Sequence, residues 1–324
     1  MRRSAAIAIK LSISVLLVWL VARHIEIGSL LDRLESLGWL PLGVVAAASL
    51  AQIPLTALRW NAILVALGTG PRFADSLRVT TIGLFFNATL PAVIGGDAVR
   101  VFYARGLGIG LRTAIHSVLL DRLSALVALI LMAALGLPWS LTLVTDGALR
   151  QGLILAVALG LAGLVGLMLL DDAGRRLARW PLGRAIALFG TDCARILHRT
   201  RPAACTLALS GCVHLLDIAK AYAVAVALGA PLGAGAALLL VPPVILGAVL
   251  PISIAGWGVR EAAMVLALGQ IGIAPVDALS ISIVMGLSQV GLGIPGGLLW
   301  LMGQAPRHPA GLARTDTANS SEET

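Results

Sequence analysis

The amino-acid sequence predicts an all-α polytopic membrane protein, from its composition and from the length of its apolar segments. Hydrophobic residues make up 58% and charged residues 12% of the 324 residues, whereas soluble domains carry about 25% charged residues. The mean hydropathy is +0.95. A membrane-spanning helix needs about 20 apolar residues, and strands of a β-barrel alternate in polarity without giving such runs. These features exclude an ordinary soluble enzyme, a β-barrel and a disordered chain.

The first half of the chain is predicted to contain three spans and one broken apolar segment. The first span follows two arginines and is not followed by a small-residue cleavage site, so we expect it to be retained. The broken segment runs into a pair of glycines, which interrupts a helix. The spans are Ala5–Val21, Leu40–Leu58 and Thr113–Leu137, and the broken segment is Val79–Ile94.

The second half is predicted to repeat this mixture of spans and a broken segment. The spans are Gly152–Leu170, Ala203–Leu228 and Asp277–Met302, and the segment Leu238–Ile254 is broken by prolines. Between the first two spans lies a basic cytoplasmic loop, 171–202. Residues 1–302 thus form a single transmembrane domain, and the polar residues 303–324 are predicted to be a disordered cytoplasmic tail.

An internal repeat is the clearest organisational signal in the sequence. Leu90–Arg100 aligns without gaps on Leu250–Arg260, 160 residues later, with six of eleven positions identical. Upstream, Arg59–Gly68 aligns on Lys220–Gly229. Coincidence in a biased composition is the alternative, but proline and arginine are scarce in apolar segments. We therefore expect repeat one at about 40–137 and repeat two at about 203–302.

The distribution of basic residues predicts the orientation of these segments. If both broken segments are re-entrant hairpins and the N-terminus is cytoplasmic, the cytoplasmic stretches hold 18 Lys and Arg and the outside stretches hold 4. This bias is the one expected for the inner membrane of a cell. The two units then have opposite orientations, and inverted repeats with broken helices are typical of secondary transporters. Both termini are predicted to be cytoplasmic.

The broken segments carry the candidate substrate-binding residues. Glycines allow close approach to a ligand, the start of a helix favours an anion, and an arginine one turn later can hold a phosphate at two points. Asp97 is interpreted as a helix N-cap. The alternative is that the glycines form a tight tip while the arginines pair internally. The candidates are Gly95, Gly96, Asp97 and Arg100 in the first unit and Gly256, Gly258, Arg260 and Glu261 in the second.

Two further pairs of charges lie within predicted spans. Asp121 and Arg122 point about 100° apart on a helix, so each needs a separate partner or a water-filled cavity, and both are included among the substrate-binding candidates. Asp217 and Lys220 are three residues apart and are predicted to pair directly. Intramembrane charges are candidates for function by default.

No catalytic, metal or cofactor site is predicted. The five histidines form no HExxH motif, and the sequence has neither GxSxG nor a phosphate-binding GxxxxGK[ST]. The three cysteines form no CxxC and are interpreted as buried free thiols. Although the net charge is +8, aromatic residues make up 4%, which leaves little surface for stacking bases. We therefore expect no nucleic-acid partner.

Three motifs together resemble a known family, the lysylphosphatidylglycerol synthase transmembrane region, a flippase-like membrane family. They are Phe86-Asn87-x-x-Leu90-Pro91-x-x-x-Gly95-Gly96-Asp97-x-x-Arg100, Leu119-Leu120-Asp121-Arg122-Leu123 and Gly256-x-Gly258-Val259-Arg260-Glu261-Ala262. The resemblance covers about residues 5–302, and Ala92 stands where the family usually has glycine. About 22 residues follow the last span, so we expect no synthase domain in this chain.

The resemblance implies a stand-alone lipid flippase or other lipid-handling membrane protein. Its expected partner is a membrane phospholipid or a polyprenyl- or hopanoid-type lipid, together with a possible separate lipid-synthesis enzyme. A transporter of a phosphate-bearing lipid is the favoured interpretation. The alternatives are a membrane enzyme acting on lipid phosphates, with carboxylates as acid and base, and a membrane scaffold for a separate synthase that docks through the loop 171–202.

Overall fold

The structure, a computed structural model, describes residues 27–89, 95–176, 179–249 and 256–303, and among these the regular elements are all helices. The predicted first span, the tips of both broken segments (90–94 and 250–255) and most of the predicted tail lie outside the described residues. The described helices are α1 (Ile27–Glu35), α2 (Trp39–Ala66), α3 (Phe73–Thr89), α4 (Gly95–Gly106), α5 (Leu111–Leu143), α6 (Gly147–Met168), α7 (Leu170–Arg176), α8 (Pro181–Leu197), α9 (Thr200–Ala227), α10 (Ala234–Val249), α11 (Val259–Gly269), α12 (Pro275–Gly291) and α13 (Gly293–Leu301).

Five helical segments among the described residues are long and apolar enough to cross a membrane. They are α2, α5, α6, α9 and the segment Pro275–Leu301, which α12 and α13 form together. At 1.5 Å per residue, the 28 residues of α2 extend about 42 Å, which exceeds the ~30 Å hydrocarbon core of a bilayer. The prediction of an all-α, multi-pass membrane protein is confirmed.

Two helix boundaries differ from the predicted ones in ways that affect the site. The second span was expected to end at Leu58, but α2 continues to Ala66, because the residues after Arg59 bury apolar side chains such as Ile63 and Leu64. The last span was expected to be continuous, but it is interrupted at Leu292. Pro295 has no N–H to donate to the carbonyl of residue 291, so the helix is weakened there.

The packing of α2 against α9 is the most extensive helix–helix contact among the described residues. Arg59, late in α2, donates to Ser210, whereas Gln52, about two turns earlier, donates to Asp217. Contacts therefore move backward along α9 as the chain advances along α2, and the two helices are antiparallel. Both helices contribute buried polar residues to this contact, among them Gln52 and Arg59 from α2 and Asp217 from α9.

The helices of the two predicted units correspond in length and order. Both α2 and α9 have 28 residues, and they begin 161 residues apart. A glycine in the left-handed region lies two residues beyond the end of each helix, Gly68 at φ 84° and Gly229 at φ 68°, where a residue with a side chain would be strained. In each unit the next two helices pack against one another, α3 on α4 and α10 on α11.

The predicted basic loop contains two helices, α7 and α8. One face of α8 is buried, where Cys193 and Ile196 pack against Ile63 and Leu120. Burial raises the pKa of the Cys193 thiol to about 12, and the neighbouring Asp192 carboxylate acts in the same direction. Cys205 and Cys212 are exposed, so the prediction of buried thiols is wrong for these two. They lie on the outward side of α9, whose opposite side contacts α2.

Candidate functional site

Two arginines share one buried carboxylate at the centre of the first unit. Nε of Arg59 in α2 lies 2.7 Å from Oδ1 of Asp121 in α5, and Nη1 of Arg100 in α4 lies 2.9 Å from Oδ2. All three side chains are at most 6% exposed. Asp121 therefore ties together three helices, and a carboxylate between two guanidinium groups leaves a local excess of positive charge.

A second pair extends this arrangement toward the surface. Nε and Nη2 of Arg122 donate to the two carboxylate oxygens of Asp97, at 3.0 and 3.1 Å. Asp97 also lies 3.8 Å from Nη1 of Arg100, and the Arg122 side chain is half exposed. We call Arg59, Asp121, Arg100, Asp97 and Arg122 the charge network. Its formal charge is +1, and it runs from the protein interior to an exposed end.

The expectation that Asp121 and Arg122 need separate partners is confirmed, whereas the interpretation of Asp97 as an N-cap is wrong. The chain is already helical at Gly95, so Asp97 lies inside the first turn of α4, and its carboxylate pairs with Arg122. The backbone N–H of Gly96 instead donates to the side chain of Asn87 at 3.1 Å. This bond fixes the start of α4 against α3.

One edge of the Arg100 guanidinium, which we call its free edge, has no protein partner within the described parts of the chain. Its Nε and Nη2 atoms are buried and have no hydrogen-bond partner among the described residues. The same two atoms of Arg122 hold Asp97, and the same two atoms of Arg260 contact Glu261. Trp60 stacks on the guanidinium at 4.6 Å. Arg100 is therefore positioned by its other contacts and presents a two-point donor to an anion.

Gly83 provides the room that the Arg100 side chain occupies. A Cβ at this position would lie 2.7 Å from Cγ and 3.0 Å from Cδ of Arg100. We predict that Gly83→Ala displaces Arg100 and lowers the free energy of unfolding by about 1–3 kcal/mol, as is usual for overpacking. Thermal unfolding in detergent measures this. Gly43→Ala is the matched control, because a Cβ there meets nothing within 4 Å. An equal effect of both substitutions would contradict the prediction.

The predicted residues of the second unit form a separate cluster. Nη2 of Arg260 lies 2.6 Å from Oε1 of Glu261, and Ser282 bonds to both side chains. Gly256 and Gly258 adopt positive φ angles of 77° and 87° at the start of α11. Among the described residues no hydrogen bond or ion pair joins this cluster to the charge network. The two sets of candidates thus differ, because Arg260 is neutralised by its neighbour and Arg100 keeps a free edge.

A third buried polar cluster lies where α2, α9 and α12 meet. Nζ of Lys220, which is fully buried, lies 2.8 Å from Oδ1 of Asp217 and 3.1 Å from Oε1 of Gln52. Gln52 and Gln289 also donate to Oδ1 of Asp217. The predicted direct pair of Asp217 and Lys220 is confirmed, and its charges balance.

An apolar cavity of about 460 Å³ lies between α2 and the junction of α12 and α13. Leu42, Val45, Leu287 and Ile294 line it, and so do the hydroxyl-bearing Ser49 and Ser288. None of the predicted site residues is among its lining. Within the described parts of the chain, no group of three or more His, Cys, Asp or Glu residues is arranged to hold a metal ion.

Sequence reasoning missed Arg59, Trp60 and Gly83 as parts of the site. Arg59 was placed at the end of a span, but it is buried and bonds to Asp121. Its alignment with Lys220, another buried cation paired with an aspartate, was the signal that could have identified it. Nothing in the sequence indicates that Gly83 contacts Arg100, because that contact depends on how α3 packs against α4.

The chain belongs to the family described as the lysylphosphatidylglycerol synthase TM region, whose match covers residues 7–296. This range includes every residue of the charge network and of the Arg260 cluster. No curated protein matches the chain. The family and the membrane-spanning helices together identify a membrane protein linked to lipid handling.

Proposed function

We propose that this member of the lysylphosphatidylglycerol synthase TM region family is a lipid flippase that moves a phosphate-bearing lipid across the inner membrane. The observation that carries the proposal is the free edge of Arg100 in a network of charge +1. A buried donor without a partner costs about 1–3 kcal/mol. A phosphate oxygen pair would satisfy both N–H groups at once and offset the excess charge.

The closed form of the site is consistent with transport rather than with simple surface binding. Arg100 is only 4% exposed, so an anion reaches its free edge after the outer part of the network moves. The half-exposed Arg122 and its partner Asp97 are at that end. Opening and closing around a fixed central site is the behaviour expected of alternating access.

Inverted repeats and re-entrant hairpins are part of the proposal. In support, α2 and α9 occupy equivalent positions in the two units, have equal length and pack antiparallel. The apolar cavity lies between α2 of repeat one and α12 of repeat two, and it suits a lipid chain that accompanies the headgroup. If the buried Arg59, Arg100 and Arg260 are left out of the count, 16 Lys and Arg lie in the cytoplasmic stretches and 3 in the outside stretches. That bias still favours cytoplasmic termini.

The carboxylates of the two units have different roles in this mechanism. Asp97 holds Arg122 and keeps a second contact near Arg100, so it competes with the incoming phosphate and can exchange with it. Glu261 neutralises Arg260 and also accepts from the backbone of Gly258. The second half-site therefore supports the fold in this state.

Lipid translocation in proteoliposomes tests the proposal. We expect wild-type protein to accelerate the translocation of one class of phospholipid. Arg100→Ala should lower that rate by about 100-fold, since two charge-assisted hydrogen bonds are lost. Arg105→Ala is the matched control, because Arg105 lies on the same helix and is exposed; its rate should stay within about twofold of wild type. Arg100→Lys keeps the charge without the paired donors and should be intermediate.

The same experiment separates the alternatives. Full activity of folded Arg100→Ala would contradict the site assignment. If no lipid class moves but purified protein changes lipid covalently by mass spectrometry, an enzyme is favoured. If neither occurs, and neutralising the arginines of 171–202 abolishes the cellular function, a scaffold for a separate lipid-synthesis enzyme is favoured.

A further inference from the structure

His214 lies between the charge network and the Lys220 cluster on one buried face of α9. Ser210, His214 and Asp217 are spaced at i, i+4 and i+7, and all three are buried. Ser210 accepts from Arg59 of the charge network at 3.1 Å. Asp217 holds Lys220. A charge change at His214 therefore acts on both clusters through its nearest neighbours on the same helix.

The hydrogen bonds of His214 determine which ring nitrogen carries the proton. Nε2 lies 3.0 Å from the carbonyl oxygen of Ala125 in α5. A carbonyl only accepts hydrogen bonds, so Nε2 must be the donor and Nδ1 of the neutral ring carries a lone pair. Nδ1 has no partner among the described residues and lies 4.0 Å from Oδ2 of Asp217. Two acceptors thus face each other without a hydrogen between them.

A proton on Nδ1 converts this unfavourable contact into an ion pair. We propose that His214 and Asp217 form a proton-binding site whose occupancy is coupled to an anion bound at Arg100. The proton enters from the aqueous phase and resides on Nδ1, between the ring and the carboxylate. The proton site stands on the geometry of His214 alone, whereas its coupling to an anion rests on the proposed function.

The charges around His214 determine the sign of the coupling. Charged groups face it from α9 itself, from α2 and from α5, and they are Asp217, Lys220, Arg59 and Asp121. From α12 the neutral Gln289 and Ser288 approach Asp217 and Lys220, and its charged residue, Asp277, contacts Arg33. Helix α10 has no charged residue. Helix α8, which also packs on α9, carries Arg184, Asp192 and Arg195, and its Asp192 pairs with Arg195 and His116.

Arg59 and Arg100 share Asp121, so an anion at Arg100 offsets part of the positive charge that opposes an imidazolium at His214. Anion and proton therefore favour each other's binding, and this coupling is reciprocal. A transporter with such linked sites carries its lipid together with a proton.

Proton uptake on ligand binding tests the coupling. Dihexanoylphosphatidylglycerol is added to the protein in nanodiscs in weak buffer at a pH of about 6.5, the ordinary histidine pKa, with a pH-indicator dye as the readout. We expect a net uptake of up to about one proton per ligand bound. His214→Gln should abolish it. His116→Gln is the matched control, because His116 pairs with Asp192 between α5 and α8, outside both clusters. Equal uptake in His214→Gln, or no uptake while the probe binds, would overturn the coupling.

A ligand-free measurement decides the proton site independently of transport. Nitrogen NMR of histidine-labelled protein, with His214→Gln identifying the signal, should record the Nε2–H form converting to imidazolium as the pH is lowered from about 7 to about 4, the ordinary carboxylate pKa. A ring that stays neutral over this range overturns the proton site. If the ring titrates but the probe does not bind, the coupling and the lipid site at Arg100 fail while the proton site stands.

Discussion

Replacing Asp121 by alanine is expected to lower the free energy of unfolding by about 3–5 kcal/mol, the usual cost of leaving a buried charge without its partner. The physical reason is that Arg59 and Arg100 each use one oxygen of this carboxylate. Without it, both guanidinium groups stay buried with no negative charge on α5 to offset them. Thermal or denaturant unfolding in detergent, followed by tryptophan fluorescence, measures the loss.

Two comparisons make this prediction specific. Asp146→Ala removes a carboxylate that caps α6 by accepting from Leu149, and it should cost about 1 kcal/mol. Asp121→Ala combined with Arg59→Met should recover part of the stability, because one unpaired charge is removed together with its partner. If Asp121→Ala costs no more than Asp146→Ala, the charge network does not stabilise the fold as described.

The fold class and most helix positions could be predicted from the sequence because apolar runs of about 20 residues have few other interpretations. The end of α2 could not, since Arg59 looks like a boundary until its partner on α5 is known. Its burial depends on Asp121, which lies 62 positions away in the chain. Pairing across helices of this kind has no local signal.

The candidate site, like the fold, could be predicted from the sequence only in part. Asp97, Arg100, Asp121 and Arg122 were predicted as site residues, and the structure brings them into one network. Their partners could not be predicted, because a carboxylate near several arginines can pair with any of them. The second set, around Arg260, could be predicted to differ from the first, because Asp97 aligns with Trp257 and Glu261 aligns with Val101. The adjacent Glu261 has no counterpart in the first unit and neutralises that arginine.

Asp217→Leu should have a comparably large effect, because it leaves the fully buried Lys220 ammonium with only uncharged partners, Gln52 and Ser288. We expect the free energy of unfolding to fall by about 3–5 kcal/mol. The double variant Asp217→Leu/Lys220→Met should recover most of the loss, since replacing a balanced buried pair by apolar side chains is often neutral.

The recovery in this double variant distinguishes the two clusters. Asp217 and Lys220 balance each other, so removing both leaves no unpaired charge, whereas removing Asp121 and one arginine still leaves the other. Stability should therefore return more completely at Asp217–Lys220 than at Asp121. Proton uptake should not return with it, because His214 has then lost the carboxylate that faces Nδ1. A double variant as unstable as Asp217→Leu alone would contradict the balanced-pair account, since the buried ammonium would no longer be the cause of the loss.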